Sequence, residues 1–531
     1  MTIDFDPFRT PALELVAAAS DAPELPFVSI DGEEATYGEA WTAVSQTARG
    51  LRAAGVEPGD RVILLIPNRL EAVWAWFGVQ AAGAIDAPIS VEAPGAFLQY
   101  LADDLSPTAV IGTAPLLARL AEVMSTPPAL AVIVGEQPGG AEEPFGPGTR
   151  YMVFEELRAL GAATDEVLEL PPASTVGTIM YSSGTTGPSK GVMLSHGYYA
   201  TLSAVHTGLF EIRPGASTYC VQPLCHIDAR SALVNSLHLR GRLYLGTRFS
   251  ASRFWDEVEE HDADVFFYVG TMIHLLHKQP PRPLGPTSRR RIGLGSSTPA
   301  SIQREFEARF DCDLYEGYGM TEFGVILAQR PGETEIGHVG TPPEWVEVQV
   351  VDENDLPVPD GTPGQLVARP RRPHLHMLGY WNKPEATVEA WRGLWFHTGD
   401  VVVRRLDGRF EYVGRTKDSI RRRGENVSAW EVEQAATRHE RVLEAAAIGV
   451  PSEVGEEDIA LLVVASAAGT PDPAELRAFM ALDLPRYALP RYVEFVEELP
   501  KTPSERIAKG LVRERGVTAQ AWDVEAVPAT S

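Results

Sequence analysis

Hydrophobic positions along the first half of the chain follow two alternating rhythms. Over residues 37–54 they fall near a helical period, with Trp41, Val44, Leu51 and Ala54 on one side, which predicts an amphipathic helix. Gly55-Val56-Glu57-Pro58-Gly59 then stops it. Residues 61–67 (RVILLIP) form a short unbroken apolar run and predict a buried strand. Residues 70–82 return to helical spacing, and 84–89 to a strand. Residues 264–269 (DVFFYV) and 291–294 predict further buried strands. Short apolar strands separated by helices build a mostly parallel, doubly wound sheet.

The texture changes after about residue 335. Residues 347–351, 364–368 and 409–413 predict short strands between Pro/Gly turns, hence an antiparallel β region. From 416 onward α/β units resume, with helices over 429–438 and 474–482 and strands over 443–450 and 460–466. The longest apolar run, 459–468, is shorter than the ~18 residues of a membrane span and predicts a buried strand. These shifts divide the chain at Arg415-Thr416-Lys417, into a large domain over 1–415 and a smaller one, of ordinary domain size, over 416–531. The Pro- and Gly-rich stretch 135–148 predicts a surface loop.

Composition narrows the function classes. Of 531 residues, 44% are hydrophobic and 22% charged, which is globular usage. Asp and Glu number 72 against 46 Lys and Arg, a formal charge of −26. Such a field disfavours nucleic acid and anionic membranes as partners, and an anionic substrate requires a local cationic site. Cys220, Cys225 and Cys312 form no CxxC pair, so small buried thiols in a reducing compartment are expected. The acidic start, MTIDFD, has no cationic or apolar leader region. A cytoplasmic protein is therefore expected.

Residues 181–191, YSSGTTGPSKG, carry the strongest chemical signal. Glycines let backbone N–H groups close on an anion, hydroxyls add donors, and Lys190 adds a point charge. The Walker A spacing does not fit. Apolar residues 176–180 and 192–194 bracket the segment, so it reads as strand–loop–strand. It resembles the phosphate loop of adenylate-forming enzymes, the superfamily of acyl-CoA synthetases, peptide-synthetase adenylation domains and luciferases. Three further segments, in that family's order, carry the same resemblance: YEGYGMTE (315–322), WFHTGD (395–400) and GRTKDSIRRRGEN (414–426). Read singly, Tyr318 in a Gly-flanked turn is a purine platform or a core aromatic. Glu322 is a Mg²⁺ carboxylate or a helix cap. Asp400, ending a Gly-containing turn, is a ribose acceptor or a turn residue. Arg415 is a phosphate or ribose donor or a surface cation.

The resemblance implies the fold and the site together. The fold is α/β: a large N-terminal adenylate-forming domain, with parallel-sheet subdomains and a small β region, and a small mobile α+β C-terminal domain. Lys190, Thr186, Glu322 and Arg506 are implied in catalysis, with Thr186 and Glu322 on Mg²⁺. ATP is held by Ser182, Ser183, Gly184, Thr185, Thr186, Gly187, Lys190, Tyr318, Gly319, Thr321, Asp400 and Arg415. His226, Gly295, Ser296, Ser297 and Gly317 line the acid pocket, and Lys417 is the hinge. Phe266, Phe267, Tyr268 and Met272 read as pocket wall or core strand, and Arg230 as a pocket cation or ion-pair member. Arg421-Arg422-Arg423 reads as a coenzyme A phosphate site or a solvated run.

One segment departs from the pattern. The family's C-terminal Gly-Lys is Glu505-Arg506 here, in PKTPSERI. Arginine keeps the charge but is longer and planar, and Lys501 or Lys509 could take its place. The implied activity is ATP-dependent adenylation of a carboxylic acid with release of pyrophosphate, then acyl transfer to coenzyme A. The alternative, motivated by Glu505-Arg506, adenylates nitrite and passes it to an aryl amine.

Overall fold

A computed structural model describes residues 6–93, 95–135, 143–182, 189–280, 290–333, 335–415, 419–422, 425–452, 457–502 and 507–526. For Ser182, Ser419, Arg421, Glu425 and Asn426 the description is of the backbone alone.

The alternating first half folds as its periodicity implies. Thr36 caps the helix Tyr37–Ala53 through a reciprocal pair: its hydroxyl accepts the Glu39 N–H at 3.2 Å, and the Glu39 carboxylate accepts the Thr36 N–H at 2.8 Å. The strand after it, Arg61–Leu65, pairs in parallel with both Ile85–Pro88 and Ala109–Thr113. Helix Leu70–Ala81 is apolar on nearly every side and almost wholly buried, because it lies between two sheets.

Among the described residues the strands form those two eight-stranded sheets and three smaller ones. The first sheet centres on parallel strands Ser217–Cys220, Arg242–Leu245, Val265–Val269, Arg291–Ser296 and Cys312–Met320. The antiparallel Phe323–Ala328 closes its edge. In the second, Val176–Ser182 runs parallel to Ile85–Pro88 and antiparallel to Lys190–Ser195, with Gly379–Tyr380 at the edge. The main core fills the space between the two sheets, and separate apolar clusters cover their outer faces.

The β region is a four-stranded antiparallel sheet, Val346–Val351, Pro363–Pro370, Phe396–Arg404 and Phe410–Arg415. Beyond it, two clusters drawn only from residues after 419 form the core of a small α+β domain. Its long strands Val442–Pro451 and Glu457–Ala465 are antiparallel. The architecture is thus the large-plus-small α/β arrangement implied by the sequence. The small domain meets the large one where Ser428 Oγ donates to the Val413 carbonyl, and where the Lys278 ammonium donates to the Val442 carbonyl at 2.9 Å. No helix among the described residues is long and apolar enough to cross a membrane.

Candidate active site

The two strands that bracket the phosphate-loop sequence, Val176–Ser182 and Lys190–Ser195, are present and pair antiparallel. Ser182 and Lys190 are backbone partners at the mouth of the antiparallel pair. Ser183, Gly184, Thr185, Thr186 and Gly187 lie outside the described residues, as do Lys417 and Arg506. Lys190 projects over the ring of Tyr380, with Nζ 4.7 Å from its centroid. The Tyr380 hydroxyl donates to Glu322 Oε1 at 3.1 Å. Tyr380 is held there by pairing with Val192, one strand over. A cation, a phenol and a carboxylate thus stand in a row.

Glu322 is not a helix cap. It and Thr321 form the tip of the hairpin between Cys312–Met320 and Phe323–Ala328. Burial pushes its carboxyl above the ordinary range, with the Tyr380 hydroxyl and the charges of Arg415 and Lys190 pulling it back. The Thr321 carbonyl accepts from the Tyr198 hydroxyl at 3.2 Å, anchoring the hairpin tip to the main core.

Two expectations about turns are corrected. Tyr318 lies within strand Cys312–Met320, is 9% exposed, and donates its hydroxyl to Asp400 Oδ2 at 2.6 Å. Asp400 lies within strand Phe396–Arg404, where the sequence implied the end of a turn. Its glycine still matters: Gly399 has φ +73°, and the register against Pro363–Pro370 shifts there. The resulting bulge turns Asp400 toward Tyr318. Arg415 is its cross-strand partner, with Nε 3.1 Å from Oδ1. Tyr318, Asp400 and Arg415 therefore form one connected group.

On the other side, Ser296 ends strand Arg291–Ser296 and Ser297 takes the left-handed conformation, φ +60°. A Cβ at Gly295 would stand 2.2 Å from the Tyr268 carbonyl, and one at Gly319 would stand 1.9 Å from that of Gly324, so both positions require glycine. At Gly317 the nearest atom would be Phe210 at 3.9 Å, leaving room for a ligand to approach the backbone. His226 is the half-buried N-cap residue of helix Ile227–Leu239.

Other sequence expectations resolve as structure. Arg230 is an ion-pair member, 2.7 Å from Asp86 with both side chains buried. Phe266, Phe267, Tyr268 and Met272 are core residues, all under 5% exposed. Arg422 is not a phosphate ligand at the surface. It is buried against Asp458, at 3.2 Å, and donates to the Leu489 carbonyl. Arg421 beyond its backbone, and Arg423, lie outside the described residues. Lys501 pairs with Glu444 at 2.8 Å and Lys509 with Glu433 at 2.7 Å, so both alternatives to Arg506 sit in ion pairs of the small domain. Cys220 and Cys312 are buried and Cys225 half-buried, and burial pushes the Cys220 and Cys225 thiols up to about 12.

Two participants were not singled out from the sequence. Tyr380 lies in a two-residue strand with no local signal. Glu316 does carry one: alternation along Cys312–Met320 puts it on the buried face with Leu314 and Tyr318.

Residues 15–381 match the model of the AMP-binding enzyme family, and 431–506 match that of the AMP-binding enzyme C-terminal domain. The chain belongs to the AMP-binding enzyme family. This AMP-binding enzyme is 32% identical over 508 residues to a feruloyl-CoA synthase of an Amycolatopsis species, covering 94% of this chain and 98% of that one. It is 30% identical over 519 residues to a sulfoacetate–CoA ligase of Cupriavidus necator, covering 94% and 97%. Among solved structures it resembles an anthranilate CoA ligase in complex with anthranoyl-AMP, with a TM-score of 0.85 at 23% identity, covering 96% and 98%. This AMP-binding enzyme is accordingly an AMP-forming ligase that uses ATP, Mg²⁺ and coenzyme A.

The chemistry of the site fits the metal. Mg²⁺ takes one or two protein carboxylates and completes its shell with phosphate and water oxygens. Glu322, a half-buried carboxylate near Lys190, has the chemistry such a ligand requires, and it accepts a hydrogen bond from Tyr380 that orients it.

Proposed function

We propose that this enzyme adenylates a carboxylic acid at the corner where Glu322, Lys190 and the Tyr318–Asp400–Arg415 group converge, and passes the acyl group to coenzyme A. The observation that carries the reading is the continuity of that corner: a phosphate-side cation and a carboxylate bridged by Tyr380, beside a carboxylate–arginine pair suited to a ribose. In the first step a substrate carboxylate oxygen attacks the α-phosphorus of ATP and the bond to pyrophosphate breaks. Lys190 and Arg506 offset the charge spread over the phosphate oxygens, and Asp400 and Arg415 hold the nucleoside. Glu322 and Thr186 would hold Mg²⁺, which would supply further charge neutralisation. In the second step the thiol sulfur bonds to the acyl carbon, AMP leaves, and the thiol proton passes to solvent.

In this reading the domain boundary is at Arg415–Thr416 and the pivot at Lys417, so that rotation withdraws Arg506 and turns the 421–426 segment to face the thiol. Ser182, Ser183, Gly184, Thr185, Gly187, Gly319 and Thr321 complete the nucleotide site. His226, Gly295, Ser296, Ser297 and Gly317 complete the acid pocket. The buried thiols suit a reducing cytoplasm.

ATP–pyrophosphate exchange, screened over aromatic, short-chain and sulfonated carboxylic acids, tests the reading. One acid class should drive exchange, and coenzyme A should then consume the adenylate. Exchange driven only by nitrite with an aromatic amine, a reading the comparisons do not support, would overturn it.

A further inference from the structure

Strand Cys312–Met320 delivers two side chains to the site from its buried face. Tyr318 goes to Asp400, and Glu316 goes the other way, to the loop after strand Arg291–Ser296. The Glu316 side chain is buried, and its two oxygens are divided between two backbone donors: Ser297 N–H to Oε1 at 2.9 Å and Thr298 N–H to Oε2 at 3.2 Å. The loop it grips is bent, because Ser297 sits at φ +60°, a conformation that a residue with a side chain keeps only when its surroundings impose it. The strand itself is fixed at this point. Gln329 Oε1 accepts the Glu316 N–H, and the Glu316 carbonyl accepts the Gln329 N–H, each at 3.0 Å. On the loop's far side, the Tyr268 hydroxyl is 2.6 Å from Thr298 Oγ1.

We propose that Glu316 is a positioning residue for adenylation: its carboxylate, by accepting the amides of Ser297 and Thr298, holds the loop of residues 295–298 in the shape against which nucleotide and acid are set. The inference rests on the assignment of that loop to the pocket.

Among the described residues no lysine or arginine forms an ion pair with Glu316. The titratable group facing it is Tyr268 on strand Val265–Val269, whose phenol burial holds far above its ordinary value, so it stays neutral. Gln329, facing the Glu316 backbone from beyond Phe323–Ala328, is uncharged. Burial therefore dominates and pushes the Glu316 carboxyl up to about 7, against the pull of the two amides and the Thr298 hydroxyl. Above that value both oxygens accept. Below it one oxygen carries a proton and accepts poorly, so the grip on one amide weakens. Adenylation should therefore rise with pH through about 7. Stability runs the other way. The folded carboxyl binds its proton more tightly than the unfolded one, so this group favours the fold increasingly as pH falls from about 7 toward the ordinary carboxylate range.

The test uses the full-length enzyme with ATP and an acid found active by pyrophosphate exchange. E316Q keeps the shape and one acceptor but sets an amide N–H₂ against the second backbone N–H. The expected result is an ATP KM raised about tenfold at pH 8, the scale of one charge-assisted hydrogen bond, with kcat much less changed. The inflection near 7 should disappear, leaving only the fall that Glu322 imposes, while E316D, which keeps a carboxylate, should keep both. Hydrogen exchange at the Ser297 and Thr298 amides, corrected for intrinsic rate, should quicken in E316Q and in wild type at pH 6. If exchange and KM are both unmoved, Glu316 is space-filling and the proposal fails while the pocket assignment stands. If exchange quickens but KM and pH profile do not move, the loop lies outside the site, and the proposal fails with the pocket assignment. Should E316Q not fold, the wild-type measurements decide: an inflection near 7 in both supports the role, and its absence from either overturns it.

Discussion

Asp86 and Glu316 are both carboxylates sealed inside the large domain, and they are held in opposite ways. Asp86 is fully buried in the second sheet and surrounded by partners. Arg230 lies 2.7 Å away, the Thr178 hydroxyl donates at 2.7 Å, and Gln80 donates at 3.0 Å. Arg230 in turn stacks over Trp76, 4.3 Å from the ring centroid, and donates to the Leu224 carbonyl at 2.8 Å. Because Arg230 belongs to helix Ile227–Leu239, which packs against the first sheet, this pair ties the two sheets together. Among the described residues, the Glu316 carboxylate has only the two backbone amides and the Thr298 hydroxyl, and burial pushes it up accordingly. The contrast teaches where each kind of burial is useful. A fully compensated pair suits a junction that never opens. A carboxylate gripping a loop through amides suits a surface that must be set but also yield.

The sharpest way to break the contrast is at the junction. Arg230→Met leaves Asp86 charged, buried and without its cation, which should cost about 3–5 kcal/mol in denaturant unfolding. Adding Asp86→Leu to it should recover most of that loss, because a well-packed apolar pair replaces a buried ion pair at little net cost. A single-variant cost under ~1 kcal/mol would mean the pair is not what joins the sheets.

At the site the expected losses are kinetic. Glu322→Gln should lower the adenylation rate about 10²-fold, on the scale of removing one transition-state electrostatic contact. The fold should hold or gain, since burial disfavours the Glu322 charge. The sign follows from the raised carboxyl: wild-type adenylation should fall as pH drops through that raised value, because the metal needs the ionised form. Pyrophosphate exchange at limiting Mg²⁺, with a parallel melting curve, measures both. Normal turnover at limiting Mg²⁺ would remove Glu322 from the metal site.

Asp400→Asn is expected to do less. It keeps an acceptor for Tyr318 but removes the anionic partner of Arg415. The ATP KM should rise about 5–10-fold with little change in kcat, the mark of a contact that holds the ground state and transition state alike. A fall in kcat at unchanged KM would place Asp400 in the chemical step.

These effects also mark how far the chain could be read before its fold was known. Apolar runs such as 61–67 and 459–468 specify buried strands by themselves, because a strand covered on both faces needs an unbroken run. Glu322, Asp400 and Arg415 stood out through their motifs. Their surroundings did not, because short-range signals cannot state long-range pairing. Tyr380 reaches Glu322 only after Gly379–Tyr380 adds to the edge of another strand. Asp400 read as a turn residue because Gly399 precedes it, whereas the glycine makes a bulge within a strand. Arg422 read as part of a charge run, yet in the hairpin Ser419–Arg422 its side chain is buried. Glu316 was accessible in principle through alternation along its strand.

The smallest expected effect separates the two readings of Tyr318. Its hydroxyl holds Asp400 at 2.6 Å, while the residue keeps 9% of its surface exposed. Tyr318→Phe removes the hydrogen bond and keeps the ring. Asp400 retains Arg415, so the carboxylate is not left uncompensated, and the unfolding free energy should drop by only about 1 kcal/mol. If the ring is the purine platform, the ATP KM should change less than about threefold, because stacking does not use the hydroxyl. Tyr318→Leu fills part of the same volume without a π-face, and it should raise the ATP KM well beyond the Phe variant while leaving the KM for the acid near wild type. Equal KM values for ATP in the Phe and Leu variants would make Tyr318 a core residue that merely carries a donor for Asp400. The nucleoside would then be held by Asp400 and Arg415, and an aromatic platform would have to be Tyr412, whose ring lies 6.2 Å from that of Tyr318.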